Sequence, residues 1–173
     1  MSSSKKKIIL GVDPGTVVTG YAFIQENDNS FCPLDFGCIS PPKKALLSQR
    51  YHILFQSLCH LIKQYEPTEM SIETPFVHKN PQSALKLGSA LGCAIIAAKE
   101  YNVRIYGYPP AVVKKGITGL GRASKEDIEL FIKASLHLHA TQFRSDASDA
   151  LAIALYHGMQ KCSTVCTANL KEL

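Results

Sequence analysis

No stretch of this 173-residue chain approaches the roughly 20 consecutive apolar residues that a membrane span needs, so a bilayer-embedded role is not expected. The only candidate address, MSSSKKK, has no apolar core of its own, which argues against a secretory leader. Six cysteines are present (Cys32, Cys38, Cys59, Cys93, Cys162, Cys166), but none form a CxxC pair and no histidine pattern accompanies them. That absence argues against a zinc site and a disulfide scaffold, and leaves reduced thiols in a cytoplasmic protein as the expectation. Internal repeats, low-complexity segments and linkers are also missing. The chain is long enough to bury about 70% of its unfolded surface as one domain. A single domain over residues 1–160 is expected, followed by a tail over 161–173 with no readable pattern. The net charge of +5 permits an anionic partner without requiring one.

What is present begins with KIILGVD, Lys7 to Asp13, followed at once by Pro14, Gly15 and Thr16. Ile8, Ile9, Leu10 and Val12 make a β-branched apolar run that ends on a carboxylate, the pattern of a buried strand. A second run, Val17 to Gln25, follows too soon for a crossover helix, so an antiparallel hairpin is expected. Phe31 to Ser40 reads as a third strand, with Pro33 and Gly37 marking an edge or bulge. Lys43 to Tyr65 carries a helical stripe closed by Pro67, and Thr68 to Thr74 is a short strand bearing Glu73. Asn80-Pro81 opens a helix to about Tyr101, with Ala84, Leu87, Gly88, Leu91, Ala94, Ile95 and Ala98 on one face. Val103 to Tyr108 is a fifth strand, Pro109-Pro110 starts a brief helix to about Lys115, and Ser124 caps another with Asp127. A last helix runs from Asp146 to about Gln160. This order predicts an α/β fold with a five-stranded mixed sheet, its first three strands antiparallel, flanked by helices.

Four acids stand at suggestive points: Asp13 after the first strand, Glu73 near the end of the fourth, and Asp146 and Asp149 in the first turn of the last helix. The last two share a helix face. Acids in a first turn also complement the helix dipole, by about 0.3–1 kcal/mol each. Two carboxylates about 4 Å apart would repel by roughly 4 kcal/mol at an effective dielectric near 20. No cation nearby in the sequence clearly offsets this. Such a cluster either raises its pKa values or binds a hard divalent ion through oxygen. Spacing alone does not establish that the four converge.

LGVDPGT with TGYAFI, the SIE of Ser71-Ile72-Glu73, the segment SALKLG from Ser83 to Gly88, and DASDALAIALYH from Asp146 to His157 together resemble the RuvC Holliday-junction resolvases. The resemblance covers about Lys7 to Gln160, with four motifs in order. It implies a ribonuclease-H-like fold and a homodimer, with Asp13, Glu73, Asp146 and Asp149 as catalytic ligands of two Mg²⁺ ions, which Mn²⁺ could replace. It further implies paired symmetric nicks that leave 5′-phosphate and 3′-hydroxyl ends, in DNA recombination and repair. A RuvA–RuvB branch-migration complex is the implied partner, and four-way junction DNA the implied substrate. Some relatives carry His at the third acidic position; this chain has Asp146.

Lys114 to Lys125, KKGITGLGRASK, holds Lys114, Lys115, Arg122 and Lys125 with three glycines and no acid. Flexible glycine with unopposed positive charge suits a phosphate backbone. The family pattern implies catalytic or DNA-contacting roles for Lys114 and Lys125, and backbone contacts are expected of Lys115 and Arg122. Phe76, three residues after Glu73, is a candidate for stacking on an unpaired base, with His78 and Lys79 beside it as possible phosphate contacts. The helix from Asn80 is the candidate dimer face. Competing readings are a sugar-kinase or actin-type ATPase, for which the chain is too short, a non-catalytic junction-binding module, and another ribonuclease-H-like nuclease or transposase.

Overall fold

The computed structural model describes residues 7–27, 30–74, 80–119, 123–138, 142, 144–162 and 173. Strand β1 (Ile8–Asp13) lies at the centre of one five-stranded sheet, with β2 (Thr19–Asn27), β3 (Ser30–Ile39), β4 (Glu69–Glu73) and β5 (Arg104–Tyr108) in the order β3-β2-β1-β4-β5. The β1–β2 and β2–β3 pairs are antiparallel, and β1–β4 and β4–β5 are parallel. The expected mixed sheet is therefore present, with the first three strands antiparallel.

Alternation along each strand divides the core in two. Leu10, Val12, Phe23, Met70 and Ile72 face one side. There they meet α1 (Leu47–Tyr65) and α2 (Pro81–Glu100), which bury Leu58, Ile62, Ala90, Ala94, Ala97 and Ala98. Ile9, Ala22, Ile24, Tyr106 and Tyr108 face the other side. That side is covered by α3 (Pro110–Thr118), α4 (Lys125–Ser135) and α5 (Ser145–Cys162). Among the described residues no helix is long and apolar enough to cross a membrane.

The edge signals in β3 hold: the pairing with β2 shifts between Phe23 and Ile24, where Asp35 and Pro33 are the successive partners and Leu34 bulges out. Asn80 caps α2, its Oδ1 accepting from the Gln82 and Ser83 amides at 3.0 and 3.3 Å. Ser124 and Asp127 form a reciprocal capping box at α4.

Three boundaries and one face differ from expectation. β2 starts at Thr19 rather than Val17, because Thr19 Oγ1 accepts from the Gly15 amide and donates to the Gly15 carbonyl, at 3.2 and 2.9 Å, closing the loop that follows Asp13. α1 starts at Leu47 rather than Lys43, since Pro41-Pro42 leads into a turn before the helix. α3 continues to Thr118 and stops at Gly119, which takes φ +71°, the left-handed cap that glycine adopts without strain. Gly116 lies inside α3, where a Cβ would run into the Tyr156 ring. It is a packing glycine, not the flexible joint that composition suggested. On α2 the expected small-residue face splits: Ala94 and Ala98 point into the core, while Gly88 and Gly92 have open space beside them.

Candidate active site

Asp13 and Glu73 end neighbouring parallel strands. Val12 pairs with Ile72, so the next residue of each strand carries an acid at the same sheet margin. Alternation turns Gly11 and Asp13, and likewise Glu69, Ser71 and Glu73, toward the face that α5 covers. The helix lies almost on the backbone there: a Cβ at Gly20 would collide with the Asp146 carbonyl oxygen, and one at Gly11 with that of Ala150. These two glycines bring the first turn of α5, with Asp146 and Asp149, down onto the ends of β1 and β2.

Electrostatics report the convergence. Asp13 is pushed up from an ordinary 3.8 to about 7, first by burial, then by Glu73, Asp149 and Asp146, with Lys125 partly opposing. Burial and Asp149 raise Glu73, while Lys114 holds it down. Burial raises Asp149, and Lys125 and Lys114 lower it, with Asp146 adding to the rise. Asp13, Glu73 and the Asp146–Asp149 pair, from three separate elements, therefore act on one another across one cleft. Among the described residues no three His, Cys, Asp or Glu side chains form a ready-made metal cage. The donor set of Asp13, Glu73, Asp146 and Asp149 is all hard oxygen, the kind that Mg²⁺ prefers.

Lys114 sits half-buried on α3 and Lys125 opens α4, its Nζ donating to Ser145 Oγ at 3.0 Å. Lys114, Glu73 and Asp149 line a small crevice with Pro110 and Val113, and Lys125 shares a second pocket with Ser145, Ser148 and Asp149. Lys115 is exposed, one step around α3 from Lys114. Phe76, His78, Lys79 and Arg122 lie outside the described residues.

One expectation is corrected: cations near the acids do offset part of their repulsion. Besides the two lysines, Arg144 Nη2 stands 3.9 Å from Asp146 Oδ2, and its Nη1 donates to Ser40 Oγ at 3.5 Å. The signal was in the sequence, two residues before Asp146, but an arginine ahead of a helix reads as part of the lead-in. Cys38 was also missed; it pairs with Gly20, and its thiol is raised by burial and by Asp146. No spacing rule links it to the acids.

Nothing in the sequence hints at the buried chain behind the site. His157 and Glu69 are both fully buried, with His157 Nε2 3.0 Å from Glu69 Oε2. An ionised Glu69 requires the proton on Nε2, leaving Nδ1 to accept from the Tyr108 hydroxyl. Arg104 reaches Glu69 Oε1 at 2.8 Å and Lys7 stands 3.6 Å from Oε2. This network ties α5 to β4 and β5.

Comparison with known proteins gives the chain's family. The profile of the family described as crossover junction endodeoxyribonuclease RuvC matches residues 9–157. A RuvC of Protochlamydia amoebophila is 43% identical over 154 residues, covering 89% of this chain and 92% of the relative. One from Chloroherpeton thalassium is 41% identical over 165 residues, covering 95% and 88%. A solved structure described as T. thermophilus RuvC in complex with Holliday junction substrate superposes with a TM-score of 0.87 at 26% identity, covering 96% of this chain and 99% of that one.

Proposed function

Since the chain belongs to the RuvC family of crossover junction endodeoxyribonucleases, hydrolases of phosphodiester bonds, we propose that Asp13, Glu73, Asp146 and Asp149 are its catalytic carboxylates and hold two Mg²⁺ ions, with Mn²⁺ able to substitute. The observation that carries this reading is the shared rise of Asp13, Glu73 and Asp149, each raised first by burial and then by at least one other acid of the set. A structural cluster gains nothing from such repulsion, whereas a cation-binding one stores it for the ligand. Bound there, the ions supply activation of the attacking water and stabilisation of the leaving 3′ oxygen in an in-line displacement.

The chain's own groups do the rest. Asp13 gives up a proton held to about pH 7 before it can ligate. Lys114 and Lys125 are catalytic residues in this reading: each faces the acids from its own helix, opposes the rise that burial imposes on Asp149, and offers a donor to the phosphate being cut. Ser145 steadies Lys125. Lys115, Arg122 and Lys79 contact the DNA backbone, and Phe76 stacks on an unpaired base.

The substrate is four-way junction DNA, cut by two symmetric nicks that leave 5′-phosphate and 3′-hydroxyl ends. One chain carries one acid cluster, so two nicks call for a two-fold dimer. Its contact is α2, where Leu85 is 75% and Ile96 56% exposed beside open Gly88 and Gly92. Residues 1–162, to the end of α5, act as one cytoplasmic nuclease domain rather than 1–160, the remainder is a tail, and a RuvA–RuvB complex delivers the junction. The test is Mg²⁺-dependent cleavage of a synthetic four-way junction beside its linear duplex and an RNA–DNA hybrid. Paired nicks confined to the junction are expected; equal cutting of duplex or hybrid overturns the reading.

A further inference from the structure

Lys114 and Lys125 lie on α3 and α4, to one side of the acids, while Arg144 leans to the other. It caps α5, its carbonyl accepting from the Ser148 amide at 3.0 Å, and its guanidinium bends over the end of β3 to Ser40. The side chain is 61% exposed, and both its contacts are long, 3.5 Å to Ser40 and 3.9 Å to Asp146. A planar fork of five donors held this loosely keeps most of them available. Ser145, the next residue, receives Lys125 from the opposite side. Adjacent residues at the head of α5 thus anchor cations on both flanks of the cleft.

The Ser40 flank is basic well beyond Arg144. From Phe36 to Tyr65 the sequence contains no acid, and Lys43 and Lys44 follow Ser40 within a few residues. Lys43 and Lys44 are exposed, and the first turn of α1 that follows them has no acid either. Ser40 also lines a groove of about 530 Å³ between β3 and α1, which continues past Gln56 and Ser57 to His60. Asp35, the acid that precedes the stretch, is engaged by the Tyr21 hydroxyl.

We propose that the surface from Arg144 across Ser40 to Lys43 and Lys44 is a second DNA-backbone contact, which takes the strand leaving the cleft on the side away from Lys125. Exposed lysines, a loosely held arginine and hydroxyl donors recognise phosphate oxygens without reading bases. The proposal rests on the reading above that the substrate is junction DNA.

The experiment measures binding to a synthetic four-way junction in EDTA over a potassium chloride series, with nicking in Mg²⁺ followed in parallel. The variants are R144Q, R144K, the double K43Q/K44Q, and K63Q at the far end of α1 as a control. R144Q and K43Q/K44Q are expected to weaken metal-free binding several-fold. They should also flatten the slope of log K against log salt by about 0.9 for each phosphate no longer neutralised. R144K should recover part of the affinity, and K63Q should match wild type. A wild type that binds and nicks while R144Q and K43Q/K44Q bind with unchanged affinity and slope overturns this proposal alone. It is equally overturned if R144Q slows nicking without touching metal-free binding, since Arg144 would then serve only Asp146. A wild type that neither binds nor nicks the junction removes the underlying reading as well.

Discussion

Asp13 keeps its proton to about pH 7 because it is buried among acids, and that has a consequence for stability. The folded pKa lies above the unfolded value near 3.8, so the folded state binds the proton more tightly. Stability from this group is complete below pH 3.8 and is lost as pH rises through 7. A difference of this size corresponds to about 4 kcal/mol, and about 2 kcal/mol once partial exposure is allowed for. In EDTA, Asp13→Asn should therefore be more stable than wild type by about 2 kcal/mol at pH 8, and the two should draw together by pH 4. Urea unfolding at both pH values checks this; equal stability at pH 8 would mean that Asp13 is not held against its neighbours. Arg144 belongs at this scale too. An arginine two residues ahead of Asp146 was visible in the sequence, but its lean over β3 depends on how α5 meets the sheet, which no local pattern encodes.

α5 is the element on which the site turns, and two kinds of interaction seat it. Gly11 and Gly20 let its backbone lie on β1 and β2, and the Glu69–His157–Tyr108 chain fixes its later turns to β4 and β5. Removing Glu69 leaves His157, Arg104 and Lys7 facing a buried space without their common partner. Glu69→Ala should cost about 3–5 kcal/mol, read as a lowered urea midpoint. A change below about 1 kcal/mol would mean that the network is dispensable. The strands and most helices were legible because their apolar residues recur with periods of 2 or about 3.6, and because Asn80 and Ser124 cap visibly. Helix starts at Leu47 and glycine roles at 116 were less so. Pro41-Pro42 fixes where a strand ends but not where the next helix begins, and a packing glycine and a hinge glycine are the same letter. The Glu69–His157 pair spans 88 residues and has no spacing signature. The acids of the cleft were found through motif resemblance; their convergence needed the β1–β4 register and the seating of α5.

A four-way junction has two strands to cut, and the proposed two-fold dimer supplies an acid cluster for each. The inner face of α2 is used by the core, leaving Leu85, Gly88, Gly92 and Ile96 outward. The double variant Leu85→Arg/Ile96→Arg should be monomeric by light scattering and lose paired nicking while keeping its fold. A dimer that survives both charges would move the interface elsewhere. The central claim is that Asp13, Glu73, Asp146 and Asp149 form one cation-dependent cleavage centre. Its most direct test is single-turnover nicking of a synthetic four-way junction in Mg²⁺ by wild type and Asp13→Asn, with metal-free binding measured on the same samples. The account predicts symmetric nicks by wild type, equal binding by the variant, and a variant cleavage rate lower by at least a few hundredfold, of the order seen when a group acting in the transition state is removed. An Asp13→Asn protein that cuts at the wild-type rate would contradict it.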